Sequence, residues 1–252
     1  MAASPRRTPA RRGAKEAGGR RVPRPAGPPG FRAEWALWRA GMLRVAGVDE
    51  CGMGSLCGPV VAAACIVQPH GRRIPGVRDS KQLTAAQREA LAPLIRGHAV
   101  AVGVGAASVA EIDRINIYHA SHLAMRRALR RLGGYDHVLV DGRAIRDFGD
   151  VGPHTTIVKG DATSYAIACA SIVAKVTRDR LLTLLAARHP QYGWDHNAGY
   201  ASREHLDAIE LHGFTPYHRR SFSPLRIALA DQAELDLDFG PEPDEVLAPV
   251  AP

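Results

Sequence analysis

The sequence contains no long apolar run. Its longest uninterrupted stretch, Val60 to Val67, falls far short of the roughly 20 residues that cross a bilayer. Nor does an apolar stretch follow the basic N-terminus closely enough to read as a signal peptide. The expectation is a soluble, cytoplasmic chain with no membrane partner. Paired cysteines are missing too. Cys51, Cys57, Cys65 and Cys169 occur without any Cys-x-x-Cys spacing and mostly inside small-residue apolar stretches. That pattern fits reduced, partly buried thiols and argues against a disulfide framework. His119 and His122 could share a helix face, yet no carboxylate or third histidine stands at a supporting interval, so a zinc-binding module fails for want of ligands.

Each end of the chain lacks one sign of charge. Residues 1–33 hold nine Arg or Lys against one acid, whereas residues 231–252 hold seven acids and no base. The formal net charge of +8 therefore hides a moderately basic middle with 24 bases against 17 acids. Such a balance suits a polyanionic partner but is common in proteins that bind none. Both ends are poor in large apolar residues and cannot offset their ordering entropy by burial. They read as a disordered basic tail (1–33) and a disordered acidic tail (231–252). One compact domain is expected over 34–230.

Within that domain, apolar runs at Arg44 to Asp49, Val60 to Val67, Val100 to Val104, Val138 to Val140 and Thr155 to Val158 are strand candidates. Asn116 can cap a helix whose apolar face carries Ile117, Ala124, Met125, Ala128, Leu129 and Leu132. A second helix is expected from about Thr163 to Arg188, with Ile167, Ser171, Ala174, Leu181 and Leu185 on one stripe. Strands first, with helices between and after them, imply an α/β fold with a mixed sheet.

Four acids stand at strand ends. Asp49 and Glu50 close one apolar strand, Asp141 closes another, and Asp161 follows a third after Lys159-Gly160. Strand-end acids often do no more than cap turns, as Asp161 could for the helix after it. If the four converge on one sheet edge, however, their repulsion calls for divalent cations. An all-oxygen ligand set favours Mg²⁺ or Mn²⁺ over zinc.

The stretch Gly47-Val48-Asp49-Glu50-Cys51-Gly52-Met53-Gly54 and the residues after it resemble the opening motif of the ribonuclease HII family. Further matches follow in order: Asp79-Ser80-Lys81-Gln82-Leu83, Val138 to Gly142, Lys159-Gly160-Asp161-Ala162, Ala170 to Asp179, Tyr192-Gly193 through Gly199-Tyr200, and His218 to Phe222. The resemblance covers about Glu34 to Leu229. It implies a ribonuclease H-like mixed β-sheet flanked by helices, with a helical C-terminal extension. It assigns catalysis and metal ligation to Asp49, Glu50, Asp141 and Asp161, with two Mn²⁺ or Mg²⁺ ions activating water. It also implies an endonuclease acting on RNA–DNA hybrids and on duplex DNA with embedded ribonucleotides, leaving 3′-hydroxyl and 5′-phosphate ends. A monomer is expected.

Substrate contacts are expected from Gly52, Met53 and Gly54, because glycines let backbone amides approach a ribose whose 2′-hydroxyl distinguishes RNA from DNA. Tyr200 matches the family's tyrosine that packs on the neighbouring sugar; read alone it is an ordinary core or surface aromatic. Lys81, Lys159, Lys175 and Arg178 are candidate phosphate contacts, or else solvated or helix-pairing bases. The chain departs from the family twice. Gly52-Met53-Gly54 replaces the usual Gly-Arg-Gly, and Asn197-Ala198 replaces a His-Lys pair. Both changes remove a potential phosphate partner and leave the acids untouched. Two other functions compete: a ribonuclease HIII-like nuclease weak on single ribonucleotides, which Met53 favours and Tyr200 opposes, and a non-catalytic hybrid-binding protein, which the retained acids oppose.

Overall fold

The computed structural model describes residues 27–143 and 148–222. Five strands, β1 (Val45–Cys51), β2 (Val60–Ile66), β3 (Ala101–Ala107), β4 (His137–Asp141) and β5 (His154–Ile157), form one sheet in the order β3-β2-β1-β4-β5. β1, β2 and β3 pair antiparallel, while β4 and β5 join parallel to β1 and to each other. The sheet is therefore mixed, as expected. β2 is buried along its whole length, which is why its sequence is a continuous apolar run rather than an alternating one.

Helices cover both faces. Val45, Ala63, Cys65 and Leu139 pack with α4 (Tyr165–Ala186) and α2 (Ala85–His98). On the other face Ala46, Val48, Ala62, Ala64, Val138 and Val140 pack with α3 (Val109–Arg130). Past α4, the single turn α5 (Trp194–Asn197) and α6 (Arg203–His212) build the helical C-terminal part around Tyr192, Trp194 and Ile209. The four cysteines are free. No described helix is long and apolar enough to cross a membrane.

Three expectations are corrected. The helix assigned to Asn116 starts at Val109, where Ser108 and Glu111 form a reciprocal capping box. Asn116 interrupts it at φ 61°, ψ 164°, and its Oδ1 accepts a hydrogen bond from the His119 amide, so it caps only the second stretch. α2 was not anticipated, since Pro93 and Gly97 mask its pattern; Thr84 and Gln87 box its N-terminus. Nor does the fold begin at residue 34. Gly30 exchanges backbone hydrogen bonds with Thr163 and Tyr165, and Phe31 packs on Trp38 and Tyr165. In α1 (Arg32–Arg39), fully buried Glu34 accepts from the Ser164 hydroxyl and the Ala166 amide at the start of α4. The rest of both tails, 1–26 and 223–252, lies outside the described residues.

The C-terminal part buries two imidazoles, His205 and His218. Burial, then the neighbouring His205, pushes His218 down to about 4. Unfolded, the ring takes a proton near its ordinary value of about 6.5; folded, it resists until pH 4. Stability from this group is thus complete above pH 6.5 and is lost as pH falls toward 4, with a limiting slope of about 1.4 kcal/mol per pH unit. His218→Asn, whose side-chain oxygen can still accept from the Thr215 amide, should flatten that slope in urea melts between pH 7 and pH 4.5. Parallel profiles for the two proteins would refute the assignment.

Candidate active site

Asp49 and Asp141 are neighbours by strand pairing. β1 and β4 run parallel with Val48 opposite Val140, so the next residues on each strand emerge at the same edge. Asp161 arrives differently. After β5, Lys159 takes a left-handed conformation (φ 57°) and a 3-10 turn over Gly160–Ala162 folds back before Ser164 caps α4. The Gly160 amide donates to Asp141 Oδ1 at 2.7 Å and locks this turn to β4. One carboxylate oxygen each from Asp49, Asp141 and Asp161 then lies within 4.8 Å of the others.

Glu50 stays outside that triangle, since adjacent strand residues point to opposite faces, but it lines the same cleft and its charge is felt by the group. Burial, then Asp141, pushes Glu50 up to about 7. Burial, then Glu50 and Asp141, holds Asp49 well above the usual carboxylate range; burial and Asp161 raise Asp141. Lys81 Nζ sits 3.0 Å from Asp161 Oδ2. Burial pulls this ammonium down, but Asp161, Asp49 and Asp79 outweigh it and hold it above its ordinary value. Mutually repelling, buried oxygen ligands that converge on one point fit a hard divalent ion.

The turn carrying Lys81 is tied in from behind. Asp79 accepts from the Lys81 amide, and the Ser80 hydroxyl lies 2.8 Å from that of Ser171, which hydrogen bonds Asp49. Sequence reasoning placed Ser171 on an apolar stripe and gave Ser80 no role; their small size within matched motifs was the available signal.

The same cleft is lined by Gly52, Met53, Gly54, Lys81, Lys175 and Tyr200. Lys175 donates to Asp179 at 2.7 Å. Met53 is half-buried, packs against the α3-side core, and its carbonyl accepts from Arg219. Lys159 is exposed in its turn, outside the lining residues. Arg178 is a correction. It has no exposed surface, and its guanidinium donates to the Ser55 hydroxyl and to the carbonyls of Cys57, Pro59 and Ala198. With its donors committed to backbone, it holds the 52–59 loop against the 198–200 segment and does not reach phosphate. Asn197 is likewise structural, donating to the Tyr192 carbonyl and accepting from the Gly199 amide.

The family model described as Ribonuclease HII matches residues 46–224. The chain belongs to the ribonuclease HII family. Ribonuclease HII of Thermosynechococcus vestitus is 52% identical over 204 residues, covering 80% of this chain and 93% of that one. Among solved structures, the ribonuclease H2 of Pyrococcus horikoshii superimposes with a TM-score of 0.62 at 26% identity, over 76% of this chain and 99% of its own. A Bst-RNase HIII structure in complex with Mn²⁺ shares the fold, with a TM-score of 0.59 at 20% identity over 79% of this chain and 73% of that one. Family membership makes the chain a ribonuclease H of the second type, and the five-stranded mixed sheet with its helical C-terminal part agrees.

Proposed function

We propose that the protein hydrolyses the ribonucleotide-containing strand of RNA–DNA hybrids and of DNA duplexes with embedded ribonucleotides. The reading is carried by one juxtaposition: Asp49 and Asp141, two corners of the triangle that Asp161 completes, line one cleft with the Gly52–Gly54 loop and Tyr200. Asp49, Glu50, Asp141 and Asp161 would hold two divalent ions, Mg²⁺ or Mn²⁺, which when bound supply an activated water and charge stabilisation at the leaving oxygen. The Gly52 and Gly54 amides, in the loop that lines this cleft, would read a 2′-hydroxyl beside the scissile phosphate. Tyr200 packs on the adjoining sugar, and Lys81 and Lys175 offer charge to the strand. Products carry 3′-hydroxyl and 5′-phosphate ends. The test compares a duplex with a single ribonucleotide, an all-RNA hybrid and an all-DNA duplex, each with Mg²⁺, Mn²⁺ or EDTA, and identifies the ends by ligation. Cleavage of the all-DNA duplex, or cleavage that survives EDTA, would defeat the reading.

Tyr200→Ala should lower kcat/KM on the single-ribonucleotide duplex about ten- to a hundredfold, matching roughly 1–3 kcal/mol for a lost aromatic contact, and affect the long hybrid less. Equal losses on both substrates would make Tyr200 a structural residue. Met53 removes the guanidinium that the family usually carries at this position. Met53→Arg should tighten duplex binding in Ca²⁺ and steepen log affinity against log salt by about one phosphate contact. An unchanged slope would leave Met53 a packing residue.

A further inference from the structure

Tyr200 reaches the cleft from a segment with no regular structure of its own. It follows Ala198 and Gly199, both at positive φ (51° and 71°), and its ring lies 3.9 Å from where a Cβ on Gly54 would stand. The Tyr200 amide donates to the Asn197 carbonyl, and its own carbonyl accepts from the Ser202 amide. That carbonyl also lies 2.8 Å from His205 Nδ1. A carbonyl only accepts, so Nδ1 carries the proton and Nε2 of the neutral ring is left as an acceptor. Trp194 Nε1 donates to it at 2.9 Å. His218 Nε2 faces it at 3.2 Å. At the far side of His218, the Thr215 amide points at Nδ1 from 2.9 Å, which forces the His218 proton onto Nε2 and toward His205. Each proton has one place to sit. The chain therefore has a direction, from Thr215 through His218 and His205 to the Tyr200 carbonyl, with the longer His218 contact sharing the one lone pair of His205 Nε2 with Trp194, and both imidazoles are buried.

We infer that His205 is a positioning residue for Tyr200: it holds the tyrosine's backbone so that the ring closes on the Gly54 side of the carboxylate cleft, and Trp194 and His218 fix the tautomer in which it can do so. The inference rests on the reading of Tyr200 as the residue that packs on the sugar beside the ribonucleotide. A histidine that merely filled the C-terminal core would show no preference between its two nitrogens; a positioning histidine would.

Two variants separate them. His205→Asn places an amide nitrogen where Nδ1 stood and keeps the bond to Tyr200. His205→Gln places an amide oxygen near Nε2 and keeps the Trp194 and His218 side while losing Tyr200. On the single-ribonucleotide duplex, His205→Gln should lower kcat/KM about tenfold, the value of one lost hydrogen bond, and His205→Asn should stay within about threefold of wild type. Tyr200→Ala combined with His205→Gln should be no worse than Tyr200→Ala alone. Equal impairment by both His205 variants, or losses that multiply in the double variant, would overturn the inference. Tyrosine-ring NMR reads the positioning without substrate. The Tyr200 signal, assigned by its disappearance in Tyr200→Ala, should move in His205→Gln and stay in His205→Asn. An unmoved signal in both also overturns it. A signal that moves as expected while Tyr200→Ala cleaves like wild type would instead condemn the sugar-packing role of Tyr200 and leave the positioning intact.

Discussion

Asp141→Asn, and equally Asp49→Asn, is expected to give a folded protein that does not cleave. Burial and mutual repulsion hold both carboxylates above their ordinary values. An acid whose folded pKa is raised contributes a penalty that is absent below its unfolded value and complete above its folded one. At neutral pH and without divalent ions, the triangle therefore works against the fold. An amide removes one charge from it, so the melting temperature in EDTA should rise in both variants. Activity goes the other way. A neutral amide is a poor ligand for a hard cation, and the several kcal/mol of charge stabilisation expected of such a site correspond to a fall in single-turnover rate of at least about a thousandfold. Wild type should gain more stability from added Mn²⁺ than either variant does. Single-turnover cleavage at saturating Mn²⁺, with circular dichroism as the check on folding, decides the matter. Rates within tenfold of wild type for both variants would remove these residues from catalysis.

Gly52→Ala is expected to have the largest effect on stability. Gly52 sits at φ +96°, and a Cβ there would lie 2.1 Å from Arg178 Nε and 2.7 Å from its Cδ and Cζ. Arg178 has nowhere to go, being buried and bonded to one hydroxyl and three backbone carbonyls. Alanine thus adds strained backbone and dislodges the guanidinium, leaving buried acceptors unpaired, for a combined loss of about 3–5 kcal/mol. Gly54, two residues on, is a control. Its Cβ would meet only the Tyr200 ring, at an ordinary 3.9 Å, so Gly54→Ala should change stability by less than about 0.5 kcal/mol and act on substrate alone. Urea unfolding of the two variants side by side tests this. Equal midpoints would mean that Arg178 does not clamp the loop.

The two glycines look alike in the sequence because both flank Met53 beside the acid pair. Only the tertiary structure distinguishes them, since the side chain beneath Gly52 comes from a helix more than a hundred residues away. Arg178 shows the same limit. A charged residue in a helix is solvated by default, and nothing local announces that a loop and an αL segment will close over it and present it with carbonyls. The acids were legible for the opposite reason. A charge that ends an apolar strand is conspicuous, and parallel pairing of β1 with β4 makes strand ends coincide. Gly30 was hidden by its surroundings: a run of Arg, Pro and Gly around it suggested a tail, whereas its partners Thr163 and Tyr165, like those of Glu34, come about 130 positions later.

That separation also orders the events of biosynthesis. As the chain leaves the ribosome, β1, β2 and β3 can pair in sequence as an antiparallel meander, each strand meeting the one just made. The other edge of β1 has no such early neighbour. It waits for β4, and Glu34 waits for Ser164 and Ala166, until about two thirds of the chain has been translated. Asp49 and Glu50 emerge early but meet Asp141 and Asp161 only then, so the nascent protein lacks the ligand density that marks the finished edge. Chelation of a divalent ion is in this sense a late acquisition, and a polysome-bound fragment that stops before β4 lacks two of the triangle's three acids.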